Sequence, residues 1–132
     1  MNKSIFIVDS SYLLTYLFPD ERDESVDKLM KEYREHSIYL LSTTLLPFEV
    51  MNGLKSGFLR KRIKQAEVMK AHEAFRFLTI DLVEPDGYTV LDIAIKHKIS
   101  CYDAAYVALA KEKRCTLLTF DKRLKEIKEV ES

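Results

Sequence analysis

Four apolar residues, Ile5-Phe6-Ile7-Val8, run without a break and stop at a carboxylate, Asp9. The run is short, β-branched and aromatic, which predicts a buried strand over residues 4–8. A helical pattern follows over 10–18 and stops before Pro19, which cannot continue a helix. Val26, Leu29, Met30 and Tyr33 recur at helical spacing, so residues 23–36 are predicted as a second helix. Ile38 to Ser42 is the second strand. Thr43 or Thr44 can cap the next helix, which tolerates Pro47 in its first turn and ends near Gly57. Residues 59–76 repeat a broad apolar helical face, and Phe77 to Ile80 suit a third strand. Pro85 begins a helix to about Lys98, and Ser100 opens another to about Lys113. Thr116 to Phe120 is the last strand, with a closing helical turn over 122–128.

Strands and helices thus alternate along the whole chain. That order predicts an α/β fold, a three-layer α/β/α sandwich on a mainly parallel sheet of four to five strands. In such sheets ligands bind beyond the carboxyl ends of the strands, where strand order reverses. No repeat or linker interrupts the 132 residues, which are predicted as one domain, 1–132.

Composition narrows the function classes. Hydrophobic residues make up 47% and charged ones 32%, as in globular rather than disordered chains. No apolar run reaches the roughly 18 residues a membrane span needs, and the N-terminus lacks a signal-peptide layout. The expected location is the cytoplasm. Asn and Gln are scarce beside Lys and Glu, a bias shared with heat-adapted proteins. Cys101 and Cys115 form no CxxC pair, and His36, His72 and His97 show no ligand spacing, which argues against zinc and for free, buried, inert thiols. Net charge is zero, so no strong global pull on nucleic acid is expected. The distribution is uneven, however: Lys55, Arg60, Lys61, Arg62, Lys64 and Lys70 stand against Glu67 alone, while Asp20 to Glu24 holds four acids. A local basic face and an ordinary solvated helix face both fit this pattern.

The chemistry lies in four acids. Asp9 and Asp121 each follow an apolar strand, and two such endings in a parallel sheet share one edge. Asp121 also suits a turn or cap. Asp9 is not needed as a cap, since Ser10 and Ser11 follow and either can begin the helix. Asp103, three residues after Ser100, suits the first turn of a helix, where the dipole favours an acid. Glu49 sits among Phe48, Val50, Met51 and Leu54, where burial demands a partner unless a narrow stripe faces solvent. Four converging carboxylates would repel one another. A hard divalent cation with oxygen ligands, Mg²⁺ or Mn²⁺, relieves that repulsion and can polarise a phosphodiester. No P-loop or GxGxxG competes.

Asp9 in "VDSSYLL", Glu49 in "PFEVMNGL", Asp103 in "CYDAAYVALA" and Asp121 in "LLTFDKRL" resemble the four acidic motifs of the PIN-domain nucleases. The size and the ending are most similar to the VapC toxins of type II toxin–antitoxin pairs. The resemblance spans residues 5–124. It implies a Mg²⁺-dependent endoribonuclease (Mn²⁺ as the substitute), a homodimer and a cognate antitoxin partner. By position it implies Asp9 and Asp103 as metal ligands, and Glu49 and Asp121 as completing the catalytic acids. Thr119 matches a hydroxyl position of the family, and Ser10 and Ser11 offer hydroxyls beside the metal. Lys122 and Arg123 join the basic stretch as RNA contacts. Asp81, expected after the third strand, falls on no motif. Other readings are a housekeeping RNA-processing nuclease, a non-catalytic PIN-like module binding RNA or protein, and a phosphoacceptor domain. The last would carry paired acids after the first strand, where this chain has Asp9 alone.

Overall fold

The computed structural model describes residues 3–127. The chain runs β1 (Ser4–Val8), α1 (Ser10–Leu17), α2 (Glu24–Arg34), β2 (Ile38–Thr43), α3 (Leu46–Leu59), α4 (Gln65–Leu78), β3 (Asp81–Val83), α5 (Gly87–His97), α6 (Cys101–Lys113), β4 (Thr116–Leu118) and α7 (Lys122–Lys125). The sheet has four strands in the order β3-β2-β1-β4, and every pairing is parallel. The fold is the expected three-layer α/β/α sandwich. The chain winds outward from β1 through β2 to β3 and then returns to place β4 on the other side of β1. Strand order therefore reverses between β1 and β4, and the crevice where such sheets bind ligands is the one beyond the carboxyl ends of these two strands.

The core explains this arrangement. Ile7, Val8, Leu13, Val26, Met30, Leu40, Leu46, Val50 and Leu54 are buried in one cluster with the sheet-facing residues Tyr106 and Leu109 of α6. Ile93, Ala94, Ala104, Val107, Ala108 and Leu124 form a second cluster between α5, α6 and α7. From Ala104 to Ala110 every residue of α6 is buried, because it is covered by the sheet on one side and α5 on another. Its many alanines let these layers approach closely, and they leave no polar face for α6 to show.

Several boundaries differ from the sequence expectation. The stretch Phe77 to Ile80 is not the third strand. Ala71, Phe75 and Leu78 are buried at helical spacing, so α4 continues to Leu78 with Phe77 turned to solvent at 77% exposure. Thr79 then breaks the helix in a left-handed conformation, φ 46°, and the strand is the short segment Asp81–Val83. Asp81 consequently opens an edge strand instead of ending one. The predicted helix over 59–76 is interrupted at residues 60–64, where Lys61 takes φ 61° and Ile63 is buried. Thr119 and Phe120 lie beyond β4. The last predicted turn shortens to Lys122–Lys125, and residue 128 lies outside the described residues. Both cysteines are free, but Cys101 is exposed and Cys115 only half-buried, because Cys101 is the first residue of α6, at its open end. Burial nevertheless raises the Cys115 thiol above its ordinary range, which keeps it protonated and inert.

Candidate active site at the carboxyl edge of the sheet

The crevice is built from the ends of four elements. Asp9 directly follows β1, and its backbone N–H donates to the Leu118 carbonyl at 3.2 Å, tying β1 to the end of β4. The sequence expectation left capping to Ser10 or Ser11, but Asp9 itself is the N-cap of α1. Its Oδ1 accepts from the Tyr12 N–H at 3.0 Å and from the Ser11 hydroxyl at 2.7 Å. Ser10 and Ser11 are the first helical residues. Ser11 has a further task, since its Oγ accepts from the Phe120 N–H at 2.9 Å and lies 3.4 Å from Thr119 Oγ1. Thr119 Oγ1 in turn accepts from the Asp121 N–H at 3.0 Å. One hydroxyl network thus joins the acid after β1 to the acid after β4.

Asp121 caps α7, its Oδ1 accepting from Arg123 and Leu124 N–H at 2.8 and 3.2 Å. Asp103 sits in the first turn of α6, whose N-cap is Ser100; the Ser100 hydroxyl accepts from the Asp103 N–H at 3.0 Å. Glu49 lies in the first turn of α3. The expected side-chain cap from Thr43 or Thr44 is absent there. Leu45 occupies the cap position, and Thr43 Oγ1 accepts from the Leu45 N–H instead. Pro47 falls in the tolerated first turn. Glu49 finds the partner its apolar setting demands in Tyr106, whose hydroxyl donates to Oε1. Sequence reading missed Tyr106. Its signal was a phenol one turn beyond Asp103, inside the otherwise apolar run from Ala104 to Ala110.

The four acids sense one another. Burial raises the Asp9 carboxyl above its ordinary range; the Thr119 and Ser11 hydroxyls and the Tyr12 N–H oppose this, and the charge of Asp121 adds to it. Burial also raises Glu49, against the Tyr106 bond, and the charges of Asp103 and Asp9 raise it further. Asp103 is raised by burial and then by Asp121, with Ser100 and the cation Arg123 opposing. Asp9, Glu49, Asp103 and Asp121 are therefore linked by mutual repulsion around one crevice. Asp81 is not among them. It lies on the edge strand beyond β2 and faces a different groove with Lys3, Tyr33 and Thr79.

The donor set is all oxygen and all acidic, which suits a hard divalent cation. Among the described residues no three His, Cys, Asp or Glu side chains form a ready-made cage. Mg²⁺ needs no such cage, because it keeps several waters and is held by one or two carboxylates. The basic residues are less uniform than the sequence implied. Arg62 is committed to Asp20 and Glu21, at 3.1 and 3.6 Å, and lies over the Phe18 ring. Arg123 donates to the Lys98 carbonyl at 2.8 Å. Lys55, Arg60, Lys61, Lys64, Lys70 and Lys122 remain exposed.

Residues 6–130 match the model of the PIN domain. The chain belongs to the PIN-domain family. Among its PIN relatives, a ribonuclease VapC3 of Pyrobaculum aerophilum is 31% identical over 124 residues, which cover 91% of this chain and 92% of that protein. The VapC ribonuclease Mb0985 of Mycobacterium bovis is 30% identical over 122 residues, covering 92% and 90%. A ribonuclease VapC9 of Mycobacterium tuberculosis matches with the same identity and coverage. The crystal structure of PAE2754 from Pyrobaculum aerophilum superposes with a TM-score of 0.74 over 97% of this chain and 88% of that one, at 21% identity. That likeness shows a shared fold, and the match to the PIN domain over residues 6–130 names it. No helix among the described residues is long and apolar enough to cross a membrane.

Proposed function

We propose that this PIN protein is a Mg²⁺-dependent endoribonuclease, a single nuclease domain over 1–132 acting in the cytoplasm as the toxin of a toxin–antitoxin pair. The observation that carries the reading is the convergence of Asp9, Glu49, Asp103 and Asp121, mutually repelling, at the reversal of strand order. Similarity to proteins named VapC ribonucleases over nine-tenths of their length supports RNA as the substrate.

Asp9 and Asp103 hold the cation, with Mn²⁺ able to replace Mg²⁺. When bound, the cation polarises the scissile phosphate and offsets charge that develops on it. The chain's own groups do the rest. Ser11 fixes the orientation of Asp9 through its hydrogen bond, and Thr119 ties that bond to the segment after β4 that bears Asp121. The Tyr106 hydroxyl holds Glu49 Oε1 and Ser10 also bonds this carboxylate, which orients it to take a proton from an attacking water. Its raised pKa makes it the better base for that step. Asp121 completes the acidic rim.

Partners follow from the same reading. Phe48, Met51, Phe58, Leu59 and Met69 are exposed on α3 and α4, beside a groove of about 340 Å³ lined by Leu54, Val68 and His72. Exposed apolar surface of this kind serves a protein partner, here the antitoxin, and a second copy of the chain completes a homodimer.

The test is cleavage of cellular RNA by wild type and by Asp103→Asn, each with Mg²⁺ or with EDTA. Wild type cuts only with metal, and the variant loses more than the roughly 10- to 100-fold that removal of an outer-shell partner costs. Full activity in a folded Asp103→Asn protein, or in EDTA, would overturn the assignment.

A further inference from the structure

Phe120 is an apolar side chain in a conspicuous place. It lies between Thr119 and Asp121, past the end of β4, at the rim of the acidic crevice. It is 40% exposed, yet it is held on several sides. Its backbone N–H donates to Ser11 Oγ at 2.9 Å. Its ring stacks on the buried Tyr12, with centroids 5.5 Å apart and planes 10° from parallel. Lys125 places its ammonium 5.2 Å from the ring centroid. Tyr12 is also the residue whose N–H is capped by Asp9, donating to its Oδ1 at 3.0 Å. A lone exposed phenylalanine is ordinary on a protein surface. One pinned by its backbone, backed by a second ring and set beside a cation, one residue from an acid of the site, is not explained by packing.

We infer that Phe120 is the nucleobase platform of this site, on which a base next to the scissile phosphate stacks while Lys125 moves from the ring to the adjoining phosphate. The inference rests on the ribonuclease reading above and adds a substrate-positioning residue to it. Stacking on an aromatic face tolerates any base, because every base has a π-face. The platform therefore positions the strand and fixes no sequence. It also favours single-stranded substrate, whose bases are free to leave their own stack.

The chain contains no tryptophan, so Phe120→Trp introduces a single fluorophore at the platform. It is studied together with Asp103→Asn, which prevents cutting. The probes are a short end-labelled single-stranded RNA and a matched strand with abasic sugars in place of its bases. Anisotropy reports binding, the emission of the introduced indole reports stacking, and thermal melts confirm that each variant folds. The RNA quenches that emission and the abasic strand does not. Phe120→Ala weakens RNA binding by about 5- to 100-fold and leaves abasic binding unchanged, while Phe120→Tyr stays near wild type. Indole emission unmoved at saturating RNA overturns the platform, as does an equal effect of Phe120→Ala on both strands. If wild type neither binds nor cuts RNA, the ribonuclease reading fails and the platform with it. If wild type cuts RNA while the emission of the Phe120→Trp variant stays unmoved, the platform alone fails.

Discussion

Asp9 is only 3% exposed, yet its carboxylate takes bonds from the Tyr12 N–H and the Ser11 hydroxyl, and it stands near two other acids, Asp121 and Glu49. Capping and charge concentration thus meet in one side chain, and they can be separated. Asn caps as well as Asp, so Asp9→Asn keeps the bond to Tyr12 and removes the charge. The sign of the pH effect follows from linkage. The folded protein raises this carboxyl above 3.8, so it holds the proton more tightly than the unfolded chain does. Its stabilising contribution is then greatest below the ordinary value and is lost as pH rises through the raised one. In metal-free solution at pH 7, Asp9→Asn should melt higher than wild type, and the gap should close as pH falls towards 4. Added Mg²⁺ reverses the order, because a ligand at a hundred times its Kd adds about 2.7 kcal/mol to the form that binds it and the variant binds weakly. Urea unfolding across pH, with and without Mg²⁺, measures both parts. A variant that melts below wild type without metal would show that the charge is already compensated within the fold. The identity of this acid was readable in the sequence, from a carboxylate closing an apolar strand. Its capping role was not, because the two serines offered an equally good local solution and only the tertiary network assigns Ser11 elsewhere.

Between elements, the position of Glu49 depends on how α3 lies against α1. Gly57 of α3 is buried, and a Cβ there would fall 2.5 Å from Cε1 and 2.8 Å from Cζ of Phe18, a ring itself buried at the end of α1. Helix propensity favours alanine over glycine by about 1 kcal/mol, but overpacking a closed contact costs about 1–3 kcal/mol. Gly57→Ala should therefore destabilise by about 1 kcal/mol, lowering Tm by roughly 3–5 °C. Gly87→Ala is the control: a Cβ at Gly87 meets nothing within 4 Å, so Tm should hold or rise. If both variants melt alike in a thermal scan, the α1–α3 contact is looser than the fold implies. The same contrast shows what the sequence could and could not express about elements. Alternating strands and helices, and the parallel sheet, were legible because β1, β2, α2 and α6 have strong periodicity or long apolar runs. The third strand was misplaced because Phe77 and Leu78 are apolar in either reading. Only their burial, exposed and buried in turn at the end of a helical stripe, decides for helix. The true strand has three residues, too few for alternation to register.

For the whole molecule, zero net charge means that RNA must be attracted locally. The exposed lysines from Lys55 to Lys70 begin on α3 and continue past its end. At a rise of about 1.5 Å per residue, Arg60 lies about 16 Å from Glu49 along the helix, so a strand seated at the acids can run on to this segment. Each phosphate contact on a single strand adds about 0.7 to the slope of log K against log salt. Lys55→Ala, Lys61→Ala and Lys64→Ala combined should flatten that slope by about 2. Arg62→Ala should leave it nearly unchanged, because Arg62 is already paired with Asp20 and Glu21. The sequence counted Arg62 with the lysines; its partner Asp20 lies 42 positions earlier, just after α1, where only the folded chain brings the two together. Anisotropy titrations of a non-cleaving Asp103→Asn background at several salt concentrations give the slopes directly. Equal flattening by Arg62→Ala and by any one lysine variant would mean that the ion pair opens in the complex. An unchanged slope in the triple variant would move the RNA path off α3, towards Lys122 and Lys125 on α7.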